Sequence, residues 1–262
     1  MGTRRKASGN QSSGQAFGNK TDCPMQAVNS SLRKLYQKVV KSDFEAFDLK
    51  TPLFYWNAGL GIFSILGLIR FSPSFLTIIL KHPDGVYMGV YRSLCLRDGA
   101  NEPASFWTLL FVLSKYVELG DTVFIVLRKR PLVFLQWYHH MITCCVAWIL
   151  APFVEPVARW YIVMNYAVHS VMYPYFALKT RNVHIPRQIS NTITSLQLVQ
   201  MIVGLIVNLY TMFLIKMGDS QCSRHPVSIK VFIIVYGSFT ILFGKLFYEA
   251  FFLGKRKTKK VE

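Results

Sequence analysis

Four stretches of this chain place ionisable, amide or hydroxyl side chains at helical spacing among apolar neighbours. Lys115, Glu118, Asp121 and Thr122 fall at i, i+3, i+6 and i+7, mainly on one helix face. Gln136, His139 and His140 fall at i, i+3 and i+4. Asn165, His169, Met172, Tyr173 and Phe176 continue that spacing, with Tyr175 beside them, and Thr194, Gln197 and Gln200 follow at i, i+3 and i+6. Imidazole serves as base, acid or nucleophile near neutral pH. Amides such as Asn165, Gln197 and Gln200 can donate to a carbonyl oxygen or a developing oxyanion, and His140 can do the same or orient a neighbouring ring. A Lys115–Glu118–Asp121 charge network can hold adjacent helices and tune nearby histidines. Three histidines in one layer are also enough for a single zinc ion, although a di-iron site would need more.

These groups must be carried by helices in a membrane. Of 262 residues, 52% are hydrophobic, 15% aromatic and 16% charged, against the quarter or so of charged residues usual in soluble domains. Five cysteines are too few for a disulfide scaffold. The net charge of +17 is spread in short runs between apolar stretches, unlike the clustered basic surface that nucleic acid requires. An apolar stretch of about 20 residues crosses a bilayer as a helix. Six such stretches are expected: 53–69 continued by 75–80 after Pro73, then 106–127, 131–154, 160–178, 188–215 and 231–253. The fold class is therefore all-α integral membrane. Residues 1–50 read as a basic, largely disordered segment without a signal peptide, with an amphipathic helix over 32–47. Residues 51–254 form the membrane domain, and 255–262 form a basic tail.

Lys and Arg mark the cytosolic side. With six spans, 20 of them fall on one side and eight on the other, so both termini are expected in the cytosol. Lys259 and Lys260 then match a dilysine retrieval signal of the endoplasmic reticulum. Counted from the cytosolic ends of their spans, Glu118, His139, His169 and Gln197 all lie about 12–14 Å deep at 1.5 Å per residue. Ionisable groups at that depth are costly and mark function. Four helices sharing one polar layer describe a single buried site better than scattered interhelical glue. Cys95 and Cys222 fall in loops on the side opposite the cytosol, which is oxidising, and are expected to pair. Cys144 and Cys145 read as packing residues. No phosphate loop and no nucleophile elbow is present.

Lys115-x-x-Glu118-x-x-Asp121-Thr122, Gln136-x-x-His139-His140, His169-x-x-Met172-Tyr173-x-Tyr175-Phe176 and Thr194-x-x-Gln197-x-x-Gln200 occur in that order. Together they resemble the ELO-type very-long-chain fatty acid elongases, from about Pro52 to the C-terminus. Met164-Asn165-Tyr166 is similar to elongases of saturated and monounsaturated chains, whereas Gln136 leans toward those acting on polyunsaturated chains. The resemblance implies a 3-ketoacyl-CoA synthase of the endoplasmic-reticulum membrane. Such an enzyme condenses acyl-CoA with malonyl-CoA and releases carbon dioxide and CoA. It implies an inverted six-helix barrel around an acyl tunnel. It also implies a reaction centre lined by His139 and His169, with acylation of His139 as the expected first step. No cofactor beyond the two co-substrates, acyl-CoA and malonyl-CoA, is expected. Membrane lipid and the other enzymes of the elongation cycle are the expected partners, with a homodimer allowed. The cations Arg128, Lys129, Arg130, Lys179, Arg181 and Arg187 at the cytosolic mouth suit CoA phosphates. Three departures stand out: Gln136 replaces a usual His, Phe176 replaces a usual Tyr, and the usual first span is not seen. An acyl-lipid transporter or binding protein, or a single-metal histidine enzyme, are the alternatives.

Overall fold

The structure is a computed structural model and describes residues 45–97 and 102–253. Among these residues every regular element is helical. The order is α1 (Lys50–Leu80), α2 (Val86–Cys95), α3 (Glu102–Glu118), α4 (Gly120–Leu127), α5 (Phe134–Leu150), α6 (Ala158–Thr180), α7 (Arg187–Lys216) and α8 (Pro226–Tyr248). A 3-10 turn, Ala151–Phe153, follows α5, and a π-helical turn, Glu249–Leu253, follows α8.

Three elements are long and apolar enough to cross a membrane: α1, α7, and α8 with its π turn to Phe252. Their outward faces carry large exposed apolar side chains, among them Ile62, Ile69, Ile206, Phe213, Ile234 and Ile241. A water-soluble surface rarely presents so continuous an apolar face. The protein is a multi-pass membrane protein.

Several expected boundaries shift. The stretch expected over 106–127 is two helices, because Leu119 N bonds Tyr116 O three residues back and tightens the backbone between Glu118 and Gly120. By contrast α1 runs unbroken through Pro73, joining 53–69 and 75–80 in one helix. Proline forfeits one helical hydrogen bond. Phe71, Phe75 and Ile79 nevertheless keep one buried face on either side of it, packed with Ala104, Ile162 and Tyr166. The helix carrying His139 begins at Phe134 rather than Pro131, so His139 lies five residues, roughly 8 Å, inside its own helix. That is shallower than the expected common depth. Residues 45–49 are not helical; the rest of the helix expected over 32–47, and the tail 255–262, lie outside the described residues. The helix α2 was not anticipated.

Helices pack in sequence around the molecule. α1 lies along α6, α6 meets α7, α7 lies along α8, α8 meets α5, α5 meets α3, and α3 returns to α1. Tight contacts hold this order. A Cβ on Gly67 would stand 2.5 Å from the Tyr166 ring, so only glycine lets α1 approach α6 this closely. A second cluster, Leu60, Met172, Tyr173, Tyr175 and Ile193, joins α1, α6 and α7 nearer the other end. The short α2 is tied down where α6 and α8 begin and α7 ends. Tyr91 donates to Asp219 at 2.7 Å, Trp160 donates to Ser93 at 3.0 Å, and Ser223 N donates to Cys95 O at 2.8 Å. Burial and the adjacent Asp219 carboxylate push the Tyr91 hydroxyl up to about 12, which keeps it a neutral donor.

Candidate active site

The break at Leu119 puts Glu118 at the end of α3 and Asp121 in the first turn of α4, and both carboxylates point toward α5 and α6. Glu118 Oε1 accepts from Lys115 Nζ at 2.6 Å and from Ser114 Oγ at 3.3 Å. It also lies 3.7 Å from His169 Nδ1. Lys115 Nζ donates a second bond, to Asn165 Oδ1 at 2.7 Å, and sits 4.2 Å above the Phe111 ring. All three of these polar partners are buried: Lys115 3%, Glu118 3% and Asn165 8% exposed. A charge at such a site persists only when paired and hydrogen-bonded, and here each member meets that condition.

Asn165 also fixes the form of His169. Its Oδ1 is taken by Lys115, so its Nδ2 is the atom 3.1 Å from His169 Nε2, and Nδ2 can only donate. His169 Nε2 therefore accepts, and the ring proton sits on Nδ1, facing Glu118. Asp121 is anchored in the same manner. Its Oδ1 accepts from Trp56 Nε1 at 2.7 Å and its Oδ2 from Tyr173 OH at 3.1 Å. His140 lies between the two carboxylates, Nδ1 3.8 Å from Glu118 Oε2 and Nε2 3.6 Å from Asp121 Oδ2.

Consecutive residues of a helix point about 100° apart. His139 accordingly faces elsewhere than His140. Its ring lies 5.4 Å from that of His140, 4.8 Å from Phe239 and 5.7 Å from Phe243, centre to centre. There it lines a cavity of about 340 Å³, together with Lys115, Asn165 and Gln200. Of the three motif histidines, His139 is the one in that wall. The remaining lining is mostly apolar, including Phe75, Phe111, Ile162, Val146 and Phe232, and runs to Glu155, Arg159 and Tyr161 about the start of α6. An apolar chamber with a few convergent polar groups is the usual form of a small-molecule site.

The other motif residues have more local partners. Gln197 Nε2 donates to Met172 Sδ at 3.1 Å. Thr194 donates to Ser190 O of its own helix at 3.1 Å. Tyr175 accepts from Lys179 Nζ at 3.0 Å. Gln136 is half-buried on α5. Thus Lys115, Glu118, Asp121, His140, Asn165, His169 and Tyr173 form one connected set, whereas Thr194 does not join it. None of the six cations expected to meet CoA lines the cavity among the described residues. Arg181 stacks 4.5 Å above Phe54, and Arg187 Nη2 donates to Ala250 O at 2.9 Å. No group of three or more His, Cys, Asp or Glu among the described residues is arranged to hold a metal ion.

Two features were not read from the sequence. Trp56, outside every motif, anchors Asp121. At the far end of the cavity, Arg224 donates to Glu155 at 2.8 Å, to Thr211 at 2.7 Å and to Asn208 at 3.1 Å, and Tyr161 OH donates to Asn208 at 2.7 Å. Asn208 and Thr211, both 0% exposed, follow Gly204 at i+4 and i+7, a polar face in an apolar helix that was there to be seen. Cys95 and Cys222 are joined by a disulfide beside this cluster, with their Cα atoms 4.3 Å apart.

Comparison with known proteins bears on this arrangement. Residues 29–260 match the model of the family described as ELO: GNS1/SUR4. "Very long chain fatty acid elongase 6" of Drosophila melanogaster is 44% identical over 219 residues, covering 82% of this chain and 67% of the relative. The human protein of the same name is 38% identical over 217 residues, covering 82% and 79%. Human "Very long chain fatty acid elongase 3" is 35% identical over 240 residues, covering 91% and 86%. A match over nearly the whole length, together with relatives described as very long chain fatty acid elongases, shows where this fold and its buried polar layer belong: the chain belongs to the ELO (GNS1/SUR4) family of fatty acid elongases.

Proposed function

We propose that His139 is the reaction centre at which this fatty acid elongase condenses acyl-CoA with malonyl-CoA. The observation that carries the reading is the position of His139 in the cavity wall, with anchored polar groups on one side and an apolar chamber on the other. In the first step the imidazole of His139 attacks the thioester carbonyl. The acyl–sulfur bond breaks and CoA leaves. In the second step malonyl-CoA loses carbon dioxide, and the resulting enolate carbon attacks the acyl-imidazole. This forms the 3-ketoacyl-CoA and returns free imidazole. An acyl-imidazole lasts only where water is scarce, which a narrow apolar chamber favours. Asn165, Gln200 and Lys115 share the cavity with His139 and are suited to the developing oxyanion. His140 assists from behind, as donor or base, and His169 holds Asn165 in place.

In this reading α1, α3 with α4, and α5 to α8 are six crossings of the endoplasmic-reticulum membrane, arranged as a barrel with both termini in the cytosol. The acyl tail occupies the chamber from His139 toward Tyr161. Arg128, Lys129, Arg130, Lys179, Arg181 and Arg187 meet the CoA phosphates at the opposite mouth. Cys95 and Cys222 face the oxidising lumen. Saturated or monounsaturated acyl-CoA is the favoured substrate, and reduction of the keto product falls to other enzymes of the cycle.

The test is an elongation assay on microsomes carrying the chain, with labelled malonyl-CoA and a panel of acyl-CoAs. Label should enter a product two carbons longer in the wild type, and His139→Ala should abolish it. Retained elongation in a well-expressed His139→Ala protein would move the reaction centre elsewhere.

A further inference from the structure

We infer that Trp56 of α1 is a positioning residue of the reaction centre, acting through Asp121 on His140. The inference rests on the reading of His139 and His140 as that centre. Its starting point is how loosely His140 itself is held. Its two ring nitrogens lie 3.8 Å and 3.6 Å from carboxylate oxygens, and neither Nδ1 nor the facing Glu118 Oε2 has a hydrogen-bond partner among the described residues. The ring direction is therefore set by where the two carboxylates stand.

Glu118 is fixed from its own helix by Lys115 and Ser114. Asp121 has no such local support. It is fixed by two donors from other helices, Trp56 Nε1 at 2.7 Å and Tyr173 OH at 3.1 Å. Each takes a different oxygen. Among the described residues Trp56 alone holds Oδ1, and with Tyr173 on Oδ2 it sets the plane of the carboxylate that faces His140. The indole N–H donates and cannot accept, and the group does not titrate, so its contribution is orientation without proton transfer.

The backbone is adapted to this contact. A Cβ on Gly120 would overlap the six-membered ring of Trp56, so a glycine beside Asp121 is what admits the indole. The Trp56 ring is braced on its other side by Phe124, 5.4 Å away between centres. Trp56 also packs against the cluster of Leu60, Met172 and Tyr173, which fixes the indole relative to the helix that carries His169. Supporting partners of this kind orient a reacting side chain without touching substrate.

The experiment is steady-state elongation by the purified full chain in nanodiscs. Trp56→Phe keeps the packing and removes the donor. It should lower kcat by roughly tenfold, the rate equivalent of one hydrogen bond to a charged group. KM for acyl-CoA should stay within a factor of about two and the apparent Tm within about 3 °C. Gly120→Ala should produce the same loss with Trp56 intact. In a double-mutant cycle, Trp56→Phe should cost nothing further in an Asp121→Ala background, which offers the indole no acceptor. Multiplying losses, or a fall in Tm with kcat preserved, would make Trp56 a packing residue and overturn the inference. His139→Ala in the same assay keeps the two ideas apart. An active His139→Ala protein defeats the reading of the centre, whereas an inactive one beside a fully active Trp56→Phe defeats only the role of Trp56.

Discussion

Arg224 donates its Nε to Glu155 at 2.8 Å, and both side chains are buried, at 0% and 2% exposure. Its Nη1 and Nη2 donate to Thr211 and Asn208, and the second carboxylate oxygen accepts from His225 N at 3.1 Å. Glu155 and Tyr161 line the cavity, and Arg224 is not in that wall. Removing one partner of such a pair leaves a buried charge uncompensated, whereas an apolar replacement of both is often neutral. Arg224→Met should therefore destabilise by about 3–5 kcal/mol, and Arg224→Met with Glu155→Leu should recover most of that loss. Thermal unfolding in nanodiscs reads the difference. Equal stability of the single variant and the wild type would show that the charges are hydrated rather than paired.

Glu118 joins two helices and faces two histidines. Glu118→Gln removes the charge that balances Lys115 and should cost about 3 kcal/mol in stability, with turnover falling alongside. The check is paired measurement of apparent Tm and elongation rate. A variant as stable as the wild type yet inactive would point instead to direct proton transfer by Glu118.

The Cys95–Cys222 disulfide closes a sequence separation of 127 residues. Cross-linking so long a loop stabilises by about 4–5 kcal/mol when the gain is counted as entropy removed from the unfolded chain. Cys95→Ser should lower the apparent Tm while leaving kcat unchanged at temperatures where the protein stays folded, because neither cysteine touches the histidine layer. A drop in kcat without loss of stability would contradict that separation.

The order of the reaction can be read without malonyl-CoA. Purified protein given acyl-CoA alone should release about one equivalent of CoA and gain the mass of one acyl group on the peptide carrying His139. Absence of CoA release in a preparation that elongates normally would mean a ternary complex, with His139 as a base only.

The sequence by itself determined the family and the helix faces that carry its polar residues. A Lys115–Glu118–Asp121 face, adjacent histidines at 139 and 140 and an Asn165–His169–Tyr173 face can be read by counting, because a helix repeats every 3.6 residues and an apolar neighbour reports burial. The basic residues give an expected sidedness on related grounds, since charge is kept to loops by the cost of desolvation. Only the tertiary structure decided what each group meets. That Asn165 is shared by Lys115 and His169, that His139 takes the cavity while His140 takes the carboxylates, and that Trp56 reaches Asp121 across 65 residues all depend on how helices rotate against one another. The same holds for Arg224 and Glu155, each unremarked as a loop charge until chain segments 69 residues apart bury them together. Helical periodicity is a local property of the chain. The pairing of faces between helices is set by packing, where a glycine such as Gly67 or Gly120 decides how closely two surfaces meet.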